Sequence, residues 1–273
     1  MPNEKQKEYW NDDAGPKWVK HQDRLDRMLG QVTRLLVGKI AVKPGEALLE
    51  IGCGTGEVAA LLAESGAKVT GIDLSAPMVA SAKTRGAKGA EFLVADASLY
   101  RGSAPFDIAA SRFGVMFFDD PVGAFANIRG NIADNGRLVF ACWRGPEHNP
   151  WALVPALAVK PFLPEAEPTD PEAPGPFAFA DDARLRGILE EAGFDDVVIE
   201  ANEVEISLSE GGGLDDATDF ACQIGPAARA MSELGDDARI KARAAVREAL
   251  AGYVADDGQV VMGGAVWLVS AST

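Results

Sequence analysis

The sequence predicts an α/β fold with a doubly wound, mostly parallel sheet that carries helices on both faces. Short apolar runs typical of buried strands alternate with segments whose apolar residues recur at helical spacing. The first of these runs enters a glycine-dense turn at residues 52–56, and the second ends at Asp73. Strands that alternate with helices favour a parallel sheet, since the helical crossovers then cover both of its faces.

The length and charge of the chain indicate its domain organisation and exclude one class of partner. A chain of 273 residues, 47% of them hydrophobic, is long enough for one sizeable domain with insertions. The formal net charge is -15 and the pI is near 4.6. We therefore expect no nucleic-acid partner, because clustered Lys and Arg side chains supply most of the affinity for a phosphate backbone.

Cysteine and histidine are scarce. Cys53, Cys142 and Cys222 lie far apart with no CxxC pair, so neither a disulfide framework nor a zinc site is indicated. His21 and His148 are too few for an ordinary transition-metal site, and we expect no metal. The chain begins without an apolar leader and contains no run long enough to span a bilayer, which predicts a cytoplasmic protein.

A helical segment precedes the first strand. From Trp18 onward, apolar residues fall at three-and-four spacing until the segment ends near Gly38, which predicts one amphipathic helix there. The apolar positions are Leu25, Met28, Leu29, Val32, Leu35 and Leu36. We assign residues 1–40 to an N-terminal helical segment and 41–273 to the main domain.

Alternating elements fill the first half of the main domain. Apolar runs bounded by turn residues predict strands at 47–51, 68–72, 91–95, 106–110 and 137–142. Helices are predicted at 56–65, 76–85 and 121–132, with a short helical crossover between the third and fourth strands.

The second half is less regular. Six prolines within 161–176 exclude helix or strand interiors there and predict a lid loop over 145–180. Asp181 or Asp182 caps a helix that runs through Leu189 to a stop at Gly193. A strand over 197–208, a helical insertion over 211–255 and a last strand over 265–269 complete the chain. The insertion is expected either to cover an acceptor or to form a homodimer.

The glycine turn indicates a nucleoside site. Gly52, Gly54 and Gly56 follow a strand and precede a helix, so the backbone can approach a ligand closely and helix amides are available. A dinucleotide fingerprint would place its third glycine where Glu57 stands. Asp73, at the end of the next strand, is placed to accept hydrogen bonds from a ribose diol.

The stretch Glu50-Ile51-Gly52-Cys53-Gly54-Thr55-Gly56 resembles the first motif of class I S-adenosylmethionine-dependent methyltransferases. The likeness covers about residues 45–143 and extends through 71–75 with Met78, 95–97, 106–111 and 135–139. It implies a Rossmann-like sheet of seven strands whose last strand is antiparallel. It also implies S-adenosyl-L-methionine as the cofactor and S-adenosyl-L-homocysteine as its product.

The resemblance implies a role for each of several residues. Glu50 and the turn of Gly52, Cys53, Gly54 and Gly56 would hold the methionine moiety, with Ser111 and Arg112 beside the sulfonium. Asp73 would bind the ribose hydroxyls, Leu74 and Met78 would flank the adenine, Asp96 would accept from its exocyclic amine, and Ala97 would give a backbone contact.

The acceptor side is expected to take a small molecule. Residues 112–121 are similar to the branch that contains ubiquinone and menaquinone C-methyltransferases, and the motif of nucleic-acid amino-methyltransferases does not follow the fourth strand. A substrate vestibule is predicted from Tyr9, Trp10, Trp18, Arg112, Phe113, Trp143 and Trp151. The Tyr9-Trp10-Asn11 start resembles a segment that closes over the cofactor. His148 is the candidate general base, and its alternative role is to order its loop.

The sequence leaves three candidate functions. The first is methyl transfer to a small-molecule acceptor by in-line displacement. The second is a non-catalytic cofactor-binding sensor or assembly module on the same fold. The third, an NAD-dependent oxidoreductase, is disfavoured by Glu57 in place of the third glycine.

Overall fold

A computed structural model describes residues 3–164, 170 and 172–273, and these form seven strands and twelve α-helices. The strands are β1 (Ala47–Ile51), β2 (Lys68–Asp73), β3 (Ala90–Val94), β4 (Phe106–Arg112), β5 (Ile132–Trp143), β6 (Asp195–Ser207) and β7 (Val261–Ser272). The helices of the first half are α1 (Glu4–Asp12), α2 (Ala14–Lys20), α3 (Gln22–Met28), α4 (Gly30–Ile40), α5 (Glu57–Glu64), α6 (Ala76–Arg85) and α7 (Pro121–Arg129). Those of the second half are α8 (Pro150–Val159), α9 (Asp182–Glu191), α10 (Gly213–Ala221), α11 (Pro226–Ser232) and α12 (Asp236–Leu250).

The seven strands form one sheet in the order β3-β2-β1-β4-β5-β7-β6. Neighbours from β3 to β5 pair in parallel, and β7 runs antiparallel to both β5 and β6. This confirms the predicted seven-stranded fold with an antiparallel last strand. The strand order reverses between β1 and β4, and ligands of open α/β sheets bind in the crevice at such a switch point.

The central strands are buried on both faces. Leu48, Leu49 and Ile51 of β1 are at most 1% exposed, and residues 108–110 of β4 are completely buried. Helices on both sides of the sheet account for this burial, which is why these strands read as continuous apolar runs in the sequence.

The N-terminal segment departs from the prediction of one amphipathic helix. The stretch from Trp18 to Gly38 is divided among α2, α3 and α4, with α1 before it. The chain turns at His21 and Leu29, whose ψ angles of 16° and 2° lie outside the helical range. Apolar spacing continues across both turns, because Leu25, Met28 and Val32 all enter the core. Periodicity alone does not reveal such breaks.

Two further expectations were wrong in detail. Residues 95–105, between β3 and β4, form turns instead of the predicted helical crossover. The predicted lid loop over 145–180 contains α8, which starts with Pro150 at its first turn and carries Pro155 inside. Residues 165–169 and 171 of that loop lie outside the described residues. In its described part, the amide of Gly175 donates to the carbonyl of Met116 over 3.0 Å.

The helical insertion packs against α8 and the N-terminal segment. Arg24 pairs with Asp216 over 2.8 Å, and its guanidinium lies 4.0 Å from the ring centroid of Phe220. His21 contacts Gln223 over 3.1 Å. The insertion and the N-terminal helices are therefore joined by an ion pair, a cation-π contact and a polar contact. In the described chain, no helix combines the length and apolarity required to cross a membrane.

Candidate active site

The glycine turn leaves β1 at the switch point and leads into α5. Gly52, Gly54 and Gly56 have φ angles of +65°, +55° and +82°. Side chains are disfavoured at such angles, so the sequence needs glycine for this turn. The methyl of Met78 lies 3.0 Å from the position that a Cβ on Gly54 would occupy.

Gly114, at the start of the short 3-10 helix after β4, packs directly on the glycine turn. A Cβ on Gly52 would lie 2.6 Å from Gly114 Cα, and a Cβ on Gly114 would lie 2.6 Å from the Ile51 carbonyl oxygen. The completely buried Ser111 joins the same two elements, since its hydroxyl donates to the Ile51 carbonyl over 2.8 Å and accepts from the Gly114 amide over 3.0 Å. Ser111 therefore fixes the turn against β4.

Asp73, at the end of β2, also holds the glycine turn in place. Its two carboxylate oxygens accept from the amides of Gly54, at 2.9 Å, and Ser75, at 2.8 Å. Burial raises the pKa of Asp73, and these two hydrogen bonds oppose that shift. Each carboxylate oxygen can accept a second hydrogen bond, so the residue keeps the capacity to bind a diol.

Glu50 is a buried acid with an unused oxygen. Its side chain is 2% exposed, and Oε2 has no hydrogen-bond partner among the described residues. Burial raises the pKa of Glu50 to about 8, although the Arg112 guanidinium acts in the opposite direction. A buried polar atom without a partner is costly and calls for a ligand or an ion.

Arg112 lies at the end of β4 beside this acid. Its Nη1 donates to Thr33 Oγ1 over 2.6 Å and forms an ion pair with Glu57, and both charged side chains are at most 15% exposed. Nε and Nη2 of Arg112 donate to no acceptor among the described residues. The Arg112 guanidinium is also near enough to the buried carboxyl of Glu50 to oppose the rise of its pKa.

Asp96 marks the other end of the site, after β3. Its Oδ1 accepts from the amide and hydroxyl of Ser98 over 2.8 and 2.7 Å. The side-chain nitrogen of Asn3 lies 3.1 Å from each oxygen of the carboxylate. The neighbouring Ala97 is buried, and its carbonyl accepts from Asn127 over 2.8 Å.

The predicted vestibule residues separate into two aromatic groups. Trp10 contacts Tyr9, Trp18 and Phe117 edge to face, with centroid separations of 5.3 to 5.9 Å. This group lies where the N-terminal segment meets the chain after β4. Burial raises the pKa of Tyr9, and the Arg229 guanidinium opposes that shift.

The second group is a buried stack. Phe113 stacks on Trp143 with centroids 4.3 Å apart, and Trp143 contacts Trp151 at 4.9 Å. All three are at most 9% exposed, so they form core between β4, β5 and α8. Phe113 adopts a φ of +67°, a strained conformation for a bulky residue, at the end of the strand next to the glycine turn.

His148 is not brought together with these residues. It is exposed in a short 3-10 helix over 146–148, and its imidazole lies 3.5 Å from Glu147. The adjacent Asn149 is completely buried and binds Ala265 through both its amide nitrogen and its oxygen. Asn149 therefore orders this loop.

Several residues of the site were missed from sequence. Gly114, Ser75, Glu57 and Asn3 all take part in its geometry. Only Ser75 carried a local signal, because serine two residues before Pro77 is typical of a helix N-cap, and its hydroxyl accepts from the Met78 amide.

Comparison with known proteins supports the likeness seen in the sequence. Residues 49–140 match the model of a methyltransferase domain family. A demethylmenaquinone methyltransferase of Corynebacterium kroppenstedtii is 30% identical over 189 residues, which cover 63% of this chain and 77% of that protein. Another, of Renibacterium salmoninarum, is 29% identical over 147 residues, covering 52% and 61% of the two chains.

The fold is also shared with a solved structure. The phosphoethanolamine N-methyltransferase 2 of Haemonchus contortus, solved with S-adenosyl-L-methionine, has a TM-score of 0.52 at 18% identity. The match covers 89% of this chain and 52% of that one, and at this identity it shows likeness of fold alone. The chain spans between 46% and 61% of the length of the first curated relatives that it matches.

Proposed function

The chain belongs to the class I S-adenosylmethionine-dependent methyltransferases, and from this premise we propose that it transfers a methyl group from S-adenosyl-L-methionine to a small-molecule acceptor. The observation that carries the proposal is the glycine turn at the switch point, tied to Asp73 on one side and to Gly114 on the other. S-adenosyl-L-homocysteine would be the second product.

The residues of the site fit this cofactor. The unpartnered Oε2 of the buried Glu50 suits the cationic methionine end, and the spare donors of Arg112 suit its carboxylate. Asp73 keeps acceptor capacity for the ribose hydroxyls, and Met78 packs beside the turn where an adenine would be flanked. Asp96 is an acceptor for the adenine amine.

Methyl transfer from a sulfonium requires the protein mainly to align the acceptor atom with the methyl group. When bound, the cofactor supplies a methyl group on a sulfonium, which an acceptor atom takes by in-line displacement. The rigid contact between Gly52 and Gly114 fixes the turn, and the buried Ser111 prevents it from shifting. The buried stack of Phe113 and Trp143 excludes water from the end of β4.

A small-molecule acceptor is favoured by two observations. The net charge of -15 is unsuited to a nucleic-acid substrate. The curated relatives described above are named for methylation of demethylmenaquinone, a small molecule. We extend that class, and not that particular acceptor, to this chain.

The proposal is tested by incubating the protein with metabolite extracts and cofactor that carries a labelled methyl group. A labelled small molecule, identified by mass and absent without the protein, is the expected result. Binding of the cofactor with no labelled product in any extract would favour the alternative, a non-catalytic sensor or assembly module.

Replacing His148 with alanine is expected to leave both turnover and cofactor affinity unchanged. The imidazole is exposed and, among the described residues, lies 3.5 Å from the exposed Glu147, so the free energy of unfolding should change by no more than about 0.5 kcal/mol. Initial rates and a calorimetric titration check this. Normal affinity with strongly reduced turnover would instead restore His148 as a general base.

Glu50 should make the stability of the cofactor-free protein depend on pH. Burial raises its pKa from the ordinary value of 4.5 to about 8 in the fold, the Arg112 guanidinium opposes this shift, and the nearby acids Asp73 and Glu57 add to it. Between these two values the folded state keeps a proton that the unfolded state loses. The free energy of unfolding therefore falls as pH rises through this window, by at most about 1.4 kcal/mol per pH unit.

Denaturant unfolding of the wild type and of Glu50→Gln, at intervals from pH 5 to pH 8, measures this contribution. The wild type should lose more stability across the range than the variant, because glutamine has no proton to release. Parallel profiles for the two proteins would contradict the assignment of a raised pKa to Glu50.

A further inference from the structure

The N-terminal strap, defined as residues 3–12, lies along one side of the proposed adenosine site. At one end, the Ser75 hydroxyl donates to the Trp10 carbonyl over 2.8 Å. Asn11 donates to the Leu74 carbonyl over 3.1 Å and accepts from the Ala76 amide over 2.9 Å. These contacts adjoin Asp73, where the proposed function places the ribose.

The other end of the strap carries the hydrogen bonds of Asn3. Its amide donates to Asp119 Oδ2 over 2.7 Å, and its Oδ1 accepts from the Asp119 amide over 2.8 Å. Its Nδ2 donates to both oxygens of Asp96. Asn3 is only 2% exposed and adopts a left-handed conformation with φ +57°, which asparagine tolerates better than most residues.

The strap is held by these polar anchors more than by core packing. No residue of α1 is buried, and Trp10 contributes its ring contact with Phe117. Segments with few buried apolar contacts open at a lower free energy than the core does. A helix of nine residues is about 13 Å long, so the two ends of the strap are anchored at well-separated points of the site.

The bonds of Asp96 show how Asn3 acts on it. Oδ1 receives two donors from Ser98 and shares the Asn3 nitrogen with Oδ2, which receives no other donor among the described residues. Asp96 also remains partly exposed. One acceptor position on Oδ2 is therefore left for a further donor, and Asn3 fixes the plane of the carboxylate that presents it.

We propose that Asn3 is a positioning residue that orients the Asp96 carboxylate toward the adenine amine and anchors the N-terminal strap over the adenosine half of the site. This inference rests on the proposed function, since it takes an adenosine-containing cofactor as the ligand. It assigns part of the specificity for adenine to Asn3, which lies outside the sheet and 93 residues before Asp96 in the chain.

The test compares Asn3→Asp with the wild type. Aspartate is nearly isosteric, tolerates the left-handed conformation and keeps an oxygen for the Asp119 amide. It loses the donor to Asp96 and places a negative charge there. Lys5→Gln is the matched control, because it makes the same change in net charge at an exposed position of α1.

Calorimetric titration with S-adenosylhomocysteine and with S-inosylhomocysteine, which has a keto oxygen in place of the amine, gives the readout. The wild type should prefer the adenosine compound. Asn3→Asp should bind S-adenosylhomocysteine at least about tenfold more weakly and lose much of that preference. Lys5→Gln should match the wild type in both respects.

A structural role alone would lower affinity for both ligands by the same factor, and that result would overturn the proposal. Equal or tighter binding of S-adenosylhomocysteine by Asn3→Asp would also overturn it, because Asn3 would then be neutral or in competition with the adenine. A wild type that binds neither compound would defeat the proposed function itself, and this inference with it.

Discussion

Asp73→Ala is expected to weaken the binding of S-adenosylmethionine and S-adenosylhomocysteine by about 2 to 4 kcal/mol, which is roughly 30- to 700-fold in Kd. Under the proposed function, the variant loses two charge-assisted hydrogen bonds to the ribose. It also frees the amides of Gly54 and Ser75, which hold the turn and the start of α6 in place. Calorimetric titration of the purified variant measures the loss.

The controls separate binding from folding. Asp73→Asn keeps one carbonyl oxygen for a backbone amide and should lose less affinity than Asp73→Ala. Asp134→Ala removes a charge from an exposed position near the start of β5, at the opposite edge from the site, and should bind like the wild type. Unchanged affinity in a folded Asp73→Ala protein would remove this residue from the site.

Gly114→Ala is expected to have the second large effect. The added Cβ would lie 2.6 Å from the Ile51 carbonyl oxygen and 2.8 Å from Gly52 Cα. Both are backbone atoms where β1 enters the turn, so relief of the clash requires this backbone to move. We expect a loss of about 1 to 3 kcal/mol in the free energy of unfolding and a strong loss of cofactor affinity.

Gly187→Ala is the matched control for this substitution. A Cβ on Gly187, inside α9, would meet nothing within 4 Å, so alanine should stabilise the protein by about 0.5 to 1 kcal/mol. Denaturant unfolding and cofactor titration of both variants give the comparison. Wild-type stability and affinity in Gly114→Ala would show that the turn does not depend on the close approach of β4.

Local signals account for the parts of the fold that were predicted well. The predicted bounds of β1 and α6 agree with the structure, since each is a short apolar run or periodic segment between strong turn residues. Asp181 caps α9 as expected, with its side chain accepting from the Arg184 amide. The antiparallel direction of the last strand came from the family resemblance and was confirmed.

The features that were not predicted depend on contacts between distant parts of the chain. Gly114 acquires its role only because β1 and β4 are neighbours in the sheet, which no local pattern around residue 114 encodes. Asn3 lies 116 residues from Asp119, and the sequence around it gives no hint of that pairing. The aromatic residues Trp143 and Trp151 looked alike as vestibule candidates, because composition does not distinguish a pocket wall from a buried stack.

The most direct test of the account is a calorimetric titration of the unmodified protein with S-adenosylhomocysteine and, separately, with NAD. The glycine turn with Glu57 in place of a third glycine, together with Asp73 and Asp96, predicts saturable one-site binding of S-adenosylhomocysteine and none of NAD. Binding of NAD without binding of S-adenosylhomocysteine would contradict it.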